Sequence, residues 1–350
     1  MRHSWAGILV AAGLCAAASA EPQLPRRAGA ADETYPAHDV IYDSVRTPKG
    51  ERVRLIVTRP HDARNLPVVF LAGWLSCDSV EAPNDTKEAI GLTFRRIAGL
   101  SSFALVRMEK PGVGDSEGDC AELDFNAELA AYRAVFRHML AYNFIDKTRV
   151  FVLGLSNGAG WAPLVAEGVP VKGYVIAGGW VKTWFEHMME IERRRFALMG
   201  KSPGEVNEIM PRAARLYTGY LVVGRPPSEL LKHEPALAEI WPGEGDRLYG
   251  RPTPTISSWE LNLAEAWSRV RAPTLVLYGE NDWIMSRDDH ETIVALVNRN
   301  TKGAATLAIL PGADHSLEKT ASRENAFAGK REPFDGKAAE LIANWLVAHR

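Results

Sequence analysis

Apolar residues fall along this chain in short dense runs, separated by longer stretches in which apolar and polar positions recur at helical spacing. Residues 66–74 (LPVVFLAGW), 103–110 (FALVRMEK), 149–155 (RVFVLGL), 171–178 (VKGYVIAG), 272–279 (APTLVLYG) and 305–312 (ATLAILPG) are such runs. Near-continuous apolar strands of this length are expected where both faces of a parallel sheet are covered. Residues 38–46 (HDVIYDSVR) and 52–60 (RVRLIVTRP) alternate more and predict an amphipathic hairpin ahead of them. Helices are expected over 121–142, 157–167, 288–298 and 337–349. A hairpin followed by β-α alternation predicts an open, mostly parallel sheet with helices on both faces. Residues 181–271 break the rhythm. They lack a convincing central strand, are rich in helix formers, and are interrupted by Pro203, Pro226, Pro227, Pro235 and Pro242. An insertion of this size between core strands predicts a helical lid or cap over a site.

The first twenty residues have a different pattern. Early positive charge in MRHSW, the apolar stretch AGILVAAGLCAAA and the small residues ASA before Glu21 are the parts of a secretory signal, and predict export to the periplasm or the medium. The apolar stretch falls short of the roughly 20 residues a membrane span needs, and no later segment approaches it. Attachment through a lipid on Cys15 is disfavoured by Leu14, which stands where such signals carry a small residue. The 350-residue chain is 46% hydrophobic and 24% charged, which excludes disordered and fibrous classes, and its net charge of −2 gives no reason to expect a nucleic acid partner. The run Arg193, Arg194, Arg195 is short enough to be a solvated helix face. Once the signal is removed, two cysteines remain, Cys77 and Cys120; an oxidising compartment permits their pairing, and their number alone leaves it open.

Candidate chemistry centres on RVFVLGLSNGAGWAPLVA, residues 149–166. Gly154, Ser156 and Gly158 form Gly-x-Ser-x-Gly between an expected strand and an expected helix, the context in which a tight strained turn exposes a serine hydroxyl. A serine is a weak nucleophile without a base to take its proton. His315, in the loop of ILPGADHSLEK after the last expected strand, is the histidine best placed for that role. An acid is needed to orient the imidazole and balance its charge. Asp282, just past the strand end in TLVLYGENDWIMS, is preferred to Asp288 and Asp289 in the following helix and to Glu280 nearer the strand.

These residues, in the order Ser156, Asp282, His315, resemble the α/β-hydrolase superfamily over nearly all of the chain beyond the signal. Two further stretches are similar: FLAGW, which looks like the family's oxyanion loop after the third strand, and MEKPGVGDSEG, which looks like its Asp-x-Arg-Gly-x-Gly-x-Ser stretch after the fourth. Glu109 and Pro111 stand where the commoner pattern has Asp and Arg. The resemblance implies an eight-stranded, mostly parallel sheet with a helical lid after the sixth strand. The core is then 21–180 with 272–350, and the lid 181–271. It also implies oxyanion donors at the backbone amides of Trp74 and Asn157. Since the family's third and fourth strands are neighbours, it further implies that Cys77 and Cys120 meet near the oxyanion loop.

The expected activity is hydrolysis of a small or medium carboxylic ester through an acyl-enzyme, with no metal or cofactor. Trp180, Trp184, Phe185, Met188, Met189, Trp241 and Trp259 are candidate apolar walls of the site, or packing between lid and core. Alternatives are a serine peptidase, with Glu186, Glu190 and Glu192 as candidate holders of a substrate ammonium, and a silent binding protein on the same scaffold. Acyl transfer differs only in which nucleophile reaches the acyl-enzyme. Neither His233-Glu234 nor His290-Glu291 is followed by the second histidine of a zinc protease helix, and GVGDSEG lacks the third glycine of a dinucleotide fingerprint. The oligomeric state is not legible.

Overall fold

The computed structural model describes residues 23–30, 32–252 and 261–350, so the signal segment, Cys15 and Trp259 lie outside the described residues. Among the described residues, ten strands and ten α-helices follow one another as β1 (His38–Arg46), β2 (Arg52–Pro60), β3 (Leu66–Ala72), α1 (Ala89–Ala98), β4 (Ala104–Met108), α2 (Phe125–Met139), β5 (Ile145–Leu155), α3 (Asn157–Val165), β6 (Gly173–Ala177), α4 (Trp184–Leu198), α5 (Pro203–Tyr217), α6 (Pro227–His233), β7 (Arg247–Leu248), β8 (Arg251–Pro252), α7 (Leu263–Ser268), β9 (Thr274–Gly279), α8 (Arg287–Asn300), β10 (Ala305–Leu310), α9 (Arg323–Phe327) and α10 (Lys337–His349).

Eight strands make one sheet in the order β1-β2-β4-β3-β5-β6-β9-β10, and β7 pairs with β8 apart from it. Within the eight-stranded sheet only the pairings of β2, with β1 and with β4, are antiparallel. This is the mostly parallel, helix-flanked sheet that the resemblance implied. The central strands β3, β4, β5, β6 and β9 are apolar runs because helices cover both faces, which divide the buried residues into two large clusters.

Two local expectations are corrected. Strand β2 is not half-exposed: Arg54 and Thr58 are buried with their apolar neighbours. Arg54 is tolerated inside because it donates to the carbonyls of Leu24 and Pro25 and pairs with Asp115 at 3.2 Å, so the segment before β1 closes over this face. The long helix expected over 121–142 is broken. A 3-10 turn at Cys120–Glu122 precedes it, and Asp124 then caps α2 by accepting from the Ala127 amide at 2.6 Å.

Between β6 and β9 the described residues are largely helical. Capping boxes at Thr183 with Glu186 and at Ser202 with Glu205 start α4 and α5, which pack on each other. No described helix is long and apolar enough to cross a membrane.

Candidate functional site

Ser156 sits between the end of β5 and the start of α3 with φ 54° and ψ −118°, a left-handed backbone that a serine adopts only under constraint. The constraint comes from both sides. The Ser156 amide donates to the Ala177 carbonyl at 2.9 Å, and the Gly158 amide donates to the Gly73 carbonyl at 2.8 Å. A Cβ on Gly158 would stand 2.1 Å from the Ala72 carbonyl oxygen, and one on Gly154 would stand 2.7 Å from the Ala159 Cα. Glycine is therefore required at each, because the turn folds its flanks together.

His315, in the loop after β10, brings Nε2 to 2.9 Å from Ser156 Oγ, and its Nδ1 lies 2.8 Å from Asp282 Oδ2. Its ring packs against Gly178, where an added Cβ would come 2.8 Å from the imidazole. The other oxygen of buried Asp282 accepts from the amides of Ile284 and Met285 at 2.8 and 2.9 Å, which locks the carboxylate's direction. Burial works to raise the Asp282 pKa, but the charge of and hydrogen bond from His315, with the Met285 amide, outweigh it and hold the carboxyl below its ordinary value. Burial works to lower that of His315, and Asp282 outweighs this as well, leaving the imidazole above its ordinary value.

The competing acids lie elsewhere. Asp288 is 71% exposed and pairs with Lys182 at 2.9 Å. Asp289 is buried and accepts from the Val181 amide at 3.0 Å, and Glu280 accepts from the Gly312 amide at 3.0 Å. His290 accepts from the Gly179 amide at 2.9 Å, and its burial lowers its pKa, so it is a neutral structural imidazole.

The amides of Trp74 and Asn157 make no hydrogen bond among the described residues. The two residues flank the Gly158–Gly73 contact in the chain, Trp74 following Gly73 and Asn157 preceding Gly158. Cys77 and Cys120 form a disulfide with Cα atoms 5.9 Å apart, three residues beyond Trp74. Glu109, at the position that departs from the commoner motif, is buried and accepts from Ser79 and from the Asp115 amide at 2.8 Å. Gly114 leaves room for it, since a Cβ there would stand 1.8 Å from the carboxylate.

Of the candidate apolar walls, Trp180, Trp184 and Met188 are buried, with Trp180 and Trp184 centroids 5.1 Å apart and Trp184 against Phe125 at 5.6 Å. They pack the inserted segment onto α2 and α3. Phe185, Met189 and Trp241 are partly buried against the same core. The carboxylates suggested for an ammonium are already engaged: Glu186 in the α4 capping box, Glu190 with Lys182 and Arg194, and Glu192 with Arg195 and the Tyr217 hydroxyl. Sequence reasoning passed over His187. It is buried against Trp180 and Trp184 with Nδ1 unpartnered, and burial, aided by the charge of Arg194, pushes it down to about 3.

A cavity of about 470 Å³ lies at the starts of β6 and β9, beside Lys172 and Pro273, at the opposite end of the parallel strands from Ser156. A second, of about 610 Å³, is lined by Arg26, Asp32, Tyr35 and Tyr42 around the amino-terminal segment. Neither includes the serine. Among the described residues no group of three or more His, Cys, Asp or Glu side chains is arranged to hold a metal.

A family model described as "Alpha/beta hydrolase family" matches residues 68–324. Among solved structures, the chain is similar to the esterase domain of a Rhodothermus marinus protein, with 16% identity and a TM-score of 0.51 over 88% of this chain and 97% of that one. It is similar to Est1E of Butyrivibrio proteoclasticus, solved with ferulic acid, with 12% identity and a TM-score of 0.53 over 87% and 98%. It is also similar to an acylaminoacyl peptidase of Pyrococcus horikoshii, with 11% identity and a TM-score of 0.55 over 89% of this chain and 42% of that one. At these identities the likeness is one of fold. No curated protein sequence matches.

Proposed function

The chain belongs to the alpha/beta hydrolase family, and we propose that within it the protein is an exported serine hydrolase cleaving carboxylic esters of small or medium size. The observation that carries this reading is the hydrogen-bonded line from Asp282 through His315 to Ser156 on a strained turn. His315 Nε2 removes the Ser156 proton as Oγ attacks the ester carbonyl carbon. Asp282 holds the Nδ1–H and stabilises the imidazolium that forms. The Trp74 and Asn157 amides receive the negative oxygen of the tetrahedral intermediate. Its collapse expels the alcohol, which takes the proton from His315. Water, activated in turn by His315, then attacks the acyl-enzyme and releases the acid.

Three features support the finer points. The signal-like leader and the Cys77–Cys120 disulfide fit an oxidising compartment, where such bonds persist. The segment between β6 and β9 serves as a cap, since Arg251 within it reaches the Leu75 carbonyl at 2.6 Å beside the oxyanion loop. Esters are favoured over aminoacyl amides because Glu186, Glu190 and Glu192 are spent on other partners.

Purified mature protein, assayed against panels of esters, thioesters and aminoacyl amides, tests the substrate class. Ester turnover well above the other two is expected; dominant amide turnover reassigns the protein to the peptidases of this fold.

A further inference from the structure

The loop that carries the Trp74 amide is gripped from beneath by a buried charge cluster that the mechanism above does not use. Lys110, just past the end of β4, is 4% exposed. Its Nζ donates to three consecutive carbonyls, those of Trp74 at 2.7 Å, Leu75 at 3.1 Å and Ser76 at 2.5 Å. The same Leu75 carbonyl accepts from Arg251 at 2.6 Å, and Arg251 also binds the Leu123 carbonyl at 2.9 Å. Glu128 of α2 balances both cations, at 3.4 Å from Lys110 and 2.7 Å from Arg251. One residue earlier, the Gly73 amide donates to the Tyr132 hydroxyl at 3.0 Å.

Burying two cations and one carboxylate is costly unless each is paired and hydrogen-bonded. What this cluster obtains is the orientation of three peptide planes. An ammonium has three donors, and here three carbonyls converge on it. Turning the Trp74–Leu75–Ser76 carbonyls towards Lys110 fixes the peptide planes on the carboxyl side of Trp74. The Tyr132 hydroxyl fixes Gly73 on the amino side, so the Trp74 amide between them has little freedom to turn.

We propose that Lys110, seconded by Arg251 of the inserted segment, is the positioning residue that holds the Trp74 amide in place as an oxyanion donor. This rests on the serine hydrolase reading given above. It also makes the cap a structural partner of the oxyanion loop, because Arg251 belongs to β8.

The protonation of Lys110 then matters. Burial is the largest influence and, with the repulsion of Arg251, lowers its pKa to about 8 against the pull of Glu128 and of Asp78. Loss of the proton removes one of three donors and the charge that orients all three carbonyls. The grip loosens as pH rises through that value.

The test is the pH profile of kcat and KM on one ester for the wild type, Lys110→Met and Lys110→Arg, with thermal midpoints as the folding control. Wild-type kcat is expected to decline on the alkaline side near pH 8. Lys110→Met should lose about 10²-fold in kcat, the scale of an ångström-sized misplacement, with KM within about threefold. Lys110→Arg, whose guanidinium stays charged, should retain most of kcat below pH 8 and carry the alkaline limb upward. A folded Lys110→Met with kcat within threefold of wild type overturns the proposal, as does an arginine variant whose alkaline limb is unmoved. If neither variant folds, the wild-type profile decides, and a kcat flat from pH 7 to 10 overturns it. A wild type that turns over no ester and labels at no serine fails the underlying reading instead.

Discussion

At the scale of single residues, two aspartates six positions apart do different work. Asp282 is buried, bonded to His315 and fixed by two amides, whereas Asp288 is largely exposed and pairs with Lys182. Asp282→Asn is expected to lower kcat by about 10⁴-fold, since an amide can hold the wrong imidazole tautomer and cannot balance its charge. Asp288→Asn removes an exposed ion pair worth at most about 1 kcal/mol and should leave kcat within a few fold. Steady-state kinetics of the two purified variants checks both, and the reverse ranking contradicts the assignment. His315 adds a pH signature. Its pKa in the folded protein is raised, chiefly by Asp282 working against burial. Because the base must be neutral, the acidic limb of kcat/KM is expected above the ordinary histidine value of about 6.5. Stability runs the other way. A raised folded pKa means that the imidazolium's contribution is fully present below the unfolded value and is lost as pH rises through the folded one. Activity is gained over the window in which that contribution disappears.

At the scale of elements, the strand-turn-helix around Ser156 was legible because its requirements are local: two glycines, a strand and a helix. Gly158→Ala tests that unit, since its Cβ would meet backbone 2.1 Å away. Overpacking of this kind costs about 1–3 kcal/mol, so a lower thermal midpoint and weaker turnover are expected together. The helix expected over 121–142 starts late because Asp124, which looks like an ordinary helix residue in sequence, caps a new start at Phe125. Strand β5 begins at Ile145 rather than Arg149 because Asp146, Lys147 and Thr148 are polar and mask its first residues. Lys110 and Arg251 were missed for a general reason. A buried charge is distinguished from a solvated one by its partners, and these come from α2, from β8 and from the loop after β3. The disulfide was foreseen through family resemblance, which brought the ends of the third and fourth strands together. It closes a separation of 43 residues, worth about 4 kcal/mol in the chain-entropy model. Reduction is expected to lower the thermal midpoint and also to slow turnover, because the tether lies three residues beyond Trp74. Unchanged turnover after complete reduction would separate the bond from catalysis.

At the scale of the whole molecule, the described residues before β1 are part of the fold. Glu33 meets fully buried Arg107 in an ion pair, and its carboxylate also accepts from the Ala82 amide at 2.9 Å. Glu33→Ala strands a buried guanidinium and is expected to cost about 3–5 kcal/mol, read as a loss of denaturation midpoint. An unchanged midpoint would mean that this segment is not anchored there. The central claim is that Ser156, on the turn between β5 and α3, is the nucleophile. The measurement that tests this most directly is peptide mapping of the protein after a fluorophosphonate probe, run beside Ser156→Ala. The account predicts one phosphonylated residue, Ser156, with the variant unlabelled, inactive on esters and near the wild type in thermal midpoint. Covalent labelling that persists in a folded Ser156→Ala, or that maps to another serine in the wild type, would contradict it.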